Sequence, residues 1–445
     1  IKHAYGEINM TVLWGSFGDE IMTTSDQIDL STYDPMDREV QQCPFNHYAA
    51  LRDHGPLFFH EQSNMFFASR LDVVNEILRD TQTFSSQMSN TTSKPSPETR
   101  KAIAEIQSQG WPRKETMLTI DPPYHTAYRK LVSRTFSARR IAALEDTVRI
   151  FATELIDAFP DKGTVDFHND FAVSFPVRVI HYALNMAPEV EGKVKNWSDA
   201  ATAAIGNKLS HDEWIDAVTV QLENQDYWYS EYEKRLEHPQ DDVISALAHA
   251  DFAHPDLEEG ETRKLDFSEI YSIIQQLMVA GNETTTKFLD ETMRTLIEEP
   301  KWWNALEENT EGLIHGVVEE GLRISSPNQG LFRVVTKDTE IQGVSIPKGS
   351  RVWVMFGAAN RDESTFGDSE GFNPTRDNLK EHIAFGKGHH FCIGAPLSRL
   401  EGKVAFEELV RRLKLPTFAD GNTFEYQSSY VLRGLAGLQI DIEKR

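Results

Sequence analysis

The stretch that decides the fold is Phe385-Gly386-Lys387-Gly388-His389-His390-Phe391-Cys392-Ile393-Gly394, and a helical pattern over residues 395–401 follows it directly. Gly386 and Gly388 lack side chains, so the backbone can turn tightly and direct amide N–H groups toward the Cys392 sulfur. Such donors, together with the positive N-terminal end of the next helix, are expected to lower the pKa of the thiol. This setting predicts a cysteine thiolate presented to a metal.

The other residues of the loop narrow the choice of metal. Gly394 allows the next helix to lie flat against a planar macrocycle, Phe385 can shield the thiolate, and His390 can donate to a haem propionate. One alternative is a buried, inert thiol in a glycine-rich turn. A zinc site formed by Cys392, His389 and His390 is disfavoured, because residues so close in sequence do not readily form a tetrahedral site. A haem iron is the strongest candidate.

This ten-residue pattern resembles the haem-binding loop of the cytochrome P-450 family, the haem-thiolate monooxygenases. The resemblance implies that Cys392 is the axial ligand of the iron in haem b (iron protoporphyrin IX). It also implies that Phe385, Gly386, His390 and Gly394 contact this cofactor. The family fold is mainly α-helical with a small β subdomain, arranged as a trigonal prism.

Two segments upstream match the family's conserved charge triad. Glu320 and Arg323 stand three residues apart in a helical pattern and can pair on one face. Phe372-Asn373-Pro374-Thr375-Arg376 is similar to the family's F-x-P-x-R segment, so Arg376 is expected to join them. The alternative is three separate surface charges. The resemblance implies a buried structural triad behind the haem loop.

A long helical pattern, from about residue 267 to 298, contains a glycine that is costly in mid-helix, followed by an acid and a threonine. In the family this position is a distorted turn above the iron, with a groove for oxygen. The resemblance places Ala280 and Gly281 against the cofactor, Thr284 at the oxygen site and Glu283 in proton relay. The alternative is a tolerated glycine followed by exposed polar residues.

Three further cations are expected at the haem propionates. Asp121-Pro122-Pro123 is typical of a turn that begins a helix, and His125 and Arg129 lie four residues apart on that helix. By resemblance both contact propionates, and Arg333, on a predicted strand, is the third. Without the resemblance, a surface His–Arg pair is the simpler interpretation.

Length and charge limit the remaining possibilities. The chain has 445 residues and a formal net charge of -24, which argues against a nucleic-acid partner. No Gly/Ser-rich or Pro-rich linker divides it, so we predict one domain over residues 1–445, with 1–30 as an irregular extension. We also predict a monomer.

Cysteine use and the N-terminus bear on location. Two distant cysteines, Cys43 and Cys392, provide no disulfide framework, which indicates a reducing compartment. Residues 1–30 contain neither an apolar span long enough for a membrane anchor nor a signal-peptide pattern. The chain therefore resembles the soluble, bacterial type of the family, and we predict a cytoplasmic protein without a membrane anchor.

Two basic segments predict the site of the electron donor. Residues 129–140 carry five cations and no acid. More cations follow the cysteine loop: Lys387, Arg399, Lys403, Arg411, Arg412 and Lys414. In the family both segments lie on the proximal side, beneath the thiolate, where an acidic ferredoxin would dock. The alternative is a solvated basic face.

The predicted reaction is hydroxylation of a C–H bond with one oxygen atom from O2. The segments that match the family's variable pocket mix apolar residues with amides: Met88, Trp111, Met117, Trp197, Leu331, Phe332 and Val431 with Gln275, Gln276 and Gln329. This composition suits a medium-sized, mostly apolar molecule with a polar group, such as a terpenoid, steroid or substituted aromatic. A peroxide-driven peroxygenase and a non-catalytic haem-thiolate sensor are the alternatives, although neither needs the acid–threonine pair.

Overall fold

The residues that the computed structural model describes, 28–87, 94–133 and 136–445, are mostly helical. The α-helices are α1 (Arg38–Gln42), α2 (Phe45–His54), α3 (Leu71–Arg79), α4 (Pro97–Gln107), α5 (Tyr124–Ser133), α6 (Ala138–Ala142), α7 (Glu145–Asp157), α8 (Ser174–Ala183), α9 (Glu191–Thr202), α10 (His211–Glu237), α11 (Val243–Ala248), α12 (Phe267–Glu298), α13 (Pro300–Glu308), α14 (Thr310–Ser325), α15 (Phe356–Ala359), α16 (Glu363–Phe366) and α17 (Ala395–Arg412).

Short strands form three small sheets. The strands are β1 (Phe58–His60), β2 (Met65–Ala68), β3 (Phe84–Ser85), β4 (Lys162–Asp166), β5 (Leu331–Val335), β6 (Thr339–Ile341), β7 (Val344–Ile346), β8 (Arg351–Val354), β9 (Thr417–Phe418) and β10 (Gln439–Glu443). One sheet has the order β1-β2-β8-β5-β3, with β2 and β8 parallel and its other pairs antiparallel. The others are β4-β10-β9 and the hairpin β6-β7. The predicted class, mainly α with a small β subdomain, is confirmed.

Helix α12 is the axis of the main core. Its 32 residues span about 48 Å at 1.5 Å per residue, and it is buried on nearly every side, which is typical of a helix enclosed by others. It packs against α8, α9 and α14 and begins at a capping box in which Asp266 and Glu269 each accept from the other's backbone N–H. A separate apolar cluster joins α3 to the five-stranded sheet.

One helix, α4, was not predicted from the sequence. It lies between Met88 and Trp111, two of the residues predicted to line the pocket. Its start signal was present, because Ser96 caps the helix by accepting from the Thr99 amide and Pro97 occupies the first turn. Of the predicted irregular extension over residues 1–30, residues 1–27 lie outside the described residues. The single domain over residues 1–445 stays a prediction. No helix in the described ranges is long and apolar enough to cross a membrane.

Candidate active site

A cavity of about 340 Å³ lies between α12 on one side and the cysteine loop with the start of α17 on the other. It brings together residues that are up to 354 positions apart in the sequence, from Leu78 on α3 to Leu432. Its lining includes these predicted site residues: Arg129, Ala280, Gly281, Glu283, Thr284, Arg333, Phe385, Gly386, His390, Cys392 and Gly394. His125 is not part of the lining but lies directly behind it, against His390.

The cysteine loop needs its glycines for conformation and for space. Gly386 and Gly388 have φ values of 65° and 72°, in the left-handed region that glycine adopts at little cost. A Cβ at Gly388 would also lie 2.8 Å from the Leu78 carbonyl oxygen. The Cys392 amide donates to the Phe385 carbonyl at 2.9 Å and closes the turn, so the sulfur faces the cavity.

The electrostatics of the sulfur differ from the expectation. Burial raises the pKa of the Cys392 thiol above its ordinary value, and the opposing effects of nearby amides and of the Arg129 charge are smaller. Those amides belong to Gly394 and Ala395 at the start of α17, not to the loop glycines as predicted. A helix start supplies them because its first N–H groups have no partner within the helix. A stable thiolate here therefore requires a cation, such as a metal ion, bound to it.

Behind the loop, His125 packs against His390. His125 is buried, and neither of its ring nitrogens has a hydrogen-bond partner in the described part of the chain. Its ring centroid lies 4.3 Å from that of His390. Burial, with the charges of Arg129 and His389, lowers the pKa of His125 to about 4, and burial with the neighbouring cations lowers that of His390 to about 3.

Arg333 is the clearest sign that an anion belongs here. It is only 5% exposed on β5 and donates to the Phe332 carbonyl, but no carboxylate pairs with it among the residues described. Burial lowers the pKa of its guanidinium to about 10. A buried cation without a counter-ion is strongly unfavourable. The site therefore fits a ligand that carries negative groups at this end.

Haem fits these observations. The thiol side chain of Cys392 offers an axial ligand, and His125, Arg129, Arg333 and His390 offer donors to two propionates. At Gly394 a Cβ would meet only the Cys392 sulfur, at 3.8 Å, so the backbone opens onto the cavity where a flat ligand would lie. The Phe385 ring lines the same space and is covered on its other side by Arg399, 4.6 Å from the ring centroid.

The expected distorted turn in α12 does not interrupt the helix. The helix is continuous from Phe267 to Glu298, and the Thr284 hydroxyl donates to the Ala280 carbonyl at 2.9 Å. This bond returns a threonine side chain to its own helix, an arrangement that often bends a helix without ending it. Gly281 has a packing role, because a Cβ there would lie 2.9 Å from the Ile180 side chain on α8.

Glu283 lies in a charge cluster that sequence reasoning missed. Its side chain is 8% exposed, 3.0 Å from Lys287 and 3.3 Å from Lys195. Burial alone would raise its pKa, but these two ammonium groups, with Asp199, lower it to about 2. The side chain of Asp199 is 51% exposed, and burial raises its pKa. Lys195 and Asp199 are four residues apart on α9, and nothing local in the sequence links them to Glu283.

Glu401 is a second missed residue. It lines the cavity from α17, is buried, and neither of its oxygens has a hydrogen-bond partner of ordinary geometry in the described ranges. Burial raises the pKa of this carboxyl well above its usual value, and the nearby Thr285 hydroxyl opposes the shift only in part. Burial therefore favours the uncharged form of Glu401. A glutamate in a helical pattern is common, so nothing in the sequence indicates that Glu401 is buried in the cavity wall.

The three charges of the predicted triad lie together behind the loop. Glu320 is fully buried and accepts from Arg323 at 2.8 Å through both oxygens, from Arg376 at 2.8 Å and from the Asn373 amide at 2.9 Å. Burial opposes its ionisation, but the hydrogen bonds from Arg323 and Arg376 hold its pKa below the usual range. Arg323 also donates to the backbone carbonyls of residues 360, 369 and 371.

The predicted basic face is largely neutralised. Glu319, Glu145 and Glu443, from other elements, pair with Arg399, Lys403 and Lys414 in that order, and Glu408 of α17 itself pairs with Arg411 and Arg412. The prediction counted only the cations after the cysteine loop and so overlooked these carboxylates. Lys130 and Lys387 form no ion pair within the described part of the chain, and Arg134 lies outside it.

The predicted pocket residues divide into two groups. Met117, Gln275, Gln276, Leu331 and Val431 line the cavity. The others do not. Trp111 stacks on Tyr229 with ring centroids 4.3 Å apart, and Trp197 stacks on Tyr227 at 5.3 Å. Phe332 packs in the core and Gln329 binds Tyr48, while Met88 lies outside the described residues.

Known proteins are similar to this chain in sequence and in fold. The family model Cytochrome P-450 matches residues 211–432. The cytochrome P-450 YjiB of Bacillus subtilis (strain 168) is 32% identical over 82% of this chain and 86% of its own length. 6-Deoxyerythronolide B hydroxylase of Saccharopolyspora erythraea is 32% identical over 74% of this chain and 78% of its own.

The solved structure of cytochrome P-450 CYP109Q5 from Chondromyces apiculatus superimposes with a TM-score of 0.78 at 31% identity, over 93% of this chain and 98% of that one. This likeness confirms the trigonal-prism fold that the loop sequence indicated. The relatives and the cysteine-lined cavity lead to one conclusion. This chain belongs to the cytochrome P-450 family and is a haem monooxygenase.

Proposed function

We propose that this monooxygenase hydroxylates a C–H bond of a medium-sized, mostly apolar organic molecule, using haem b bound through Cys392. The observation that carries the proposal is one cavity that contains the Cys392 thiol, the unpaired Arg333 and an apolar wall. The wall that faces α12 is mainly apolar with a few amides: Met117, Leu118, Ile205, Val279, Leu331 and Val431 with Gln275, Gln276 and Asn328. Such a lining suits an apolar substrate with one polar group, as in a terpenoid, steroid or substituted aromatic.

Haem, when bound, supplies the activation of O2 and the insertion of one oxygen atom into the substrate. The residues of the chain position groups around that chemistry. Thr284 lines the cavity on α12 and can release its bond to the Ala280 carbonyl to donate toward the cavity. Glu283 remains ionised beside two lysines and therefore offers a hydrogen-bond acceptor on a proton path rather than a stored proton.

Protons reach Glu283 from the surface side of α9. Lys195 contacts both Glu283 and Asp199, and the half-exposed Asp199 is in contact with solvent. This connection supports the proposed relay role of Glu283 with Thr284.

We propose a ferredoxin-type electron donor that docks beside the cysteine loop. Fewer free cations support this docking site than the sequence suggested, because most cations of the predicted basic face are paired with carboxylates. Lys130 and Lys387 keep their charge free of carboxylates in the described part of the chain. Phe391, next to the cysteine in sequence, is 39% exposed and offers an apolar contact. An acidic ferredoxin would meet both features.

Reconstitution with O2, NADH, a ferredoxin and its reductase tests this function against its alternatives. A panel of apolar compounds is first screened for binding by the haem spin-state shift, and the best binder is then assayed for a hydroxylated product. Product formation with the ferredoxin system supports the proposal. Product only with added hydrogen peroxide indicates a peroxygenase, and carbon monoxide binding without any product indicates a sensor.

A cytoplasmic location, a monomeric state and a single domain remain predictions from the sequence. The cysteine usage supports the first of them, since Cys43 and Cys392 are both free thiols.

A further inference from the structure

One cation stands apart from the others that line the cavity. Arg113 is exposed at the cavity edge and forms no hydrogen bond or ion pair with any residue that the structure describes. The other cations of the lining lie on the cysteine side: Lys387 in the cysteine loop, Arg129 donating to the Phe391 carbonyl, and Arg333 beside His390. The propionates and the thiolate account for that group but leave Arg113 without a role.

The backbone on both sides of Arg113 is held in place. Trp111 exchanges two hydrogen bonds with the Gln225 side chain on α10, at 2.9 and 3.2 Å. The Lys114 amide donates to the Ser272 hydroxyl on α12 at 2.9 Å. A fixed backbone reduces the entropy that a binding residue loses when it meets a ligand. The guanidinium of Arg113 is therefore presented to the cavity from a rigid support.

The charges inside the cavity favour an anion at this position. The two acids of the lining compete little for Arg113, because Glu283 is paired with Lys195 and Lys287, and the burial of Glu401 favours its uncharged form. From Arg113 the same segment continues into Met117 and Leu118, which are part of the apolar lining. The segment thus offers first a cation and then an apolar wall to one ligand.

The geometry also limits the length of that ligand. Lys114 is attached to α12 at Ser272, whereas the predicted oxygen site lies at Ala280 to Thr284, eight to twelve residues further along the same helix. At 1.5 Å per residue this is about 12 to 18 Å. Carbon–carbon bonds of about 1.5 Å, in a zigzag chain, cover that span with roughly ten to fourteen carbons.

We propose that Arg113 binds the carboxylate of the substrate, so that the polar group on the otherwise apolar substrate is a carboxylic acid. The inference rests on the proposed function of the same cavity. Its substrates are monocarboxylic acids with an apolar body of about this length, and oxidation occurs at the end far from the acid. A bidentate contact from arginine to carboxylate is well suited to fix such an orientation.

The test compares acid and ester on the haem-loaded enzyme. Dodecanoate and methyl dodecanoate are titrated against the haem spin-state shift in the wild type, Arg113→Gln, Arg113→Lys and Lys114→Gln. Lys114 is the matched control, because it is the adjacent exposed cation and its side chain does not line the cavity. We expect the wild type to bind the acid at least tenfold more tightly than the ester, from one charged hydrogen-bonded contact.

Arg113→Gln should abolish this preference by weakening acid binding alone, Arg113→Lys should restore part of it, and Lys114→Gln should leave it unchanged. Equal binding of acid and ester to the wild type, no binding of either, or equal weakening of both by Arg113→Gln would overturn the inference. The monooxygenase proposal is scored separately: Arg113→Gln must still hydroxylate a neutral apolar compound with the ferredoxin system.

Discussion

Replacing Glu320 by glutamine should destabilise the protein by about 3 to 5 kcal/mol, the cost of removing one partner from a buried ion pair. Glu320 and Arg323 both have fully buried side chains, and four hydrogen bonds end on the two carboxylate oxygens. Glutamine keeps one oxygen, but its NH2 group faces an arginine N–H, and two guanidinium charges lose their counter-ion. The loss therefore exceeds that of a single hydrogen bond.

The assay is equilibrium urea unfolding of the haem-loaded wild type and variant, followed by circular dichroism at neutral pH. Glu105→Gln is the control, because Glu105 forms only an exposed pair with Lys101, and a change within about 0.5 kcal/mol is expected. A loss below 1 kcal/mol in Glu320→Gln would refute the reasoning that the triad is a buried, charge-balanced unit.

The same pair predicts a dependence on pH. The folded pKa of Glu320 lies below its unfolded value, so its stabilisation is present above the unfolded pKa and is lost as the pH falls toward the folded one. The difference in free energy of unfolding between wild type and Glu320→Gln should therefore shrink in acid. A difference that grows as the pH falls would contradict the assignment.

Three further predictions concern other parts of the site. Thr284→Ala should lower the ratio of product formed to NADH consumed several-fold and release hydrogen peroxide, whereas Thr284→Ser should keep the wild-type ratio. An unchanged ratio in the alanine variant would contradict the role of the hydroxyl. Arg333→Ala should speed transfer of haem to apomyoglobin about tenfold, since a buried charge-assisted contact is lost, and an unaltered rate would argue against a propionate at this residue. Gly316→Ala should lower the free energy of unfolding in urea by about 3 kcal/mol, because a Cβ there would lie 1.9 Å from the Pro374 carbonyl oxygen. The control Gly192→Ala, which has open space around it, should be neutral or stabilising. Equal effects of the two substitutions would show that the structure relieves the close approach at Gly316 with little loss of stability.

The cysteine loop was accessible from the sequence because its information is contiguous. Two glycines at left-handed φ, one cysteine and a helix start within ten residues specify a turn with few alternatives. Family membership and the mainly α fold followed from that stretch and are confirmed. The long helix α12 was also predictable, since its apolar pattern continues for many turns.

Interactions between elements that are far apart in the sequence could not be predicted in the same way. The lysine and aspartate that surround Glu283 lie more than 80 residues before it, on α9. The carboxylates that neutralise the basic face likewise come from α7 and α14. Gly281 was interpreted as a distortion, although the structure assigns it to a close contact with Ile180. A sequence shows which residues are unusual but not which side chain meets them.

The most direct test of the central claim is the absorption spectrum of the reduced, carbon monoxide-bound protein. The account predicts the strongly red-shifted Soret band that a cysteine thiolate opposite the gas produces, and its loss in Cys392→His with haem still bound. A wild-type spectrum typical of a nitrogen ligand, or an unchanged band in Cys392→His, would contradict the assignment of Cys392 as the ligand of the iron.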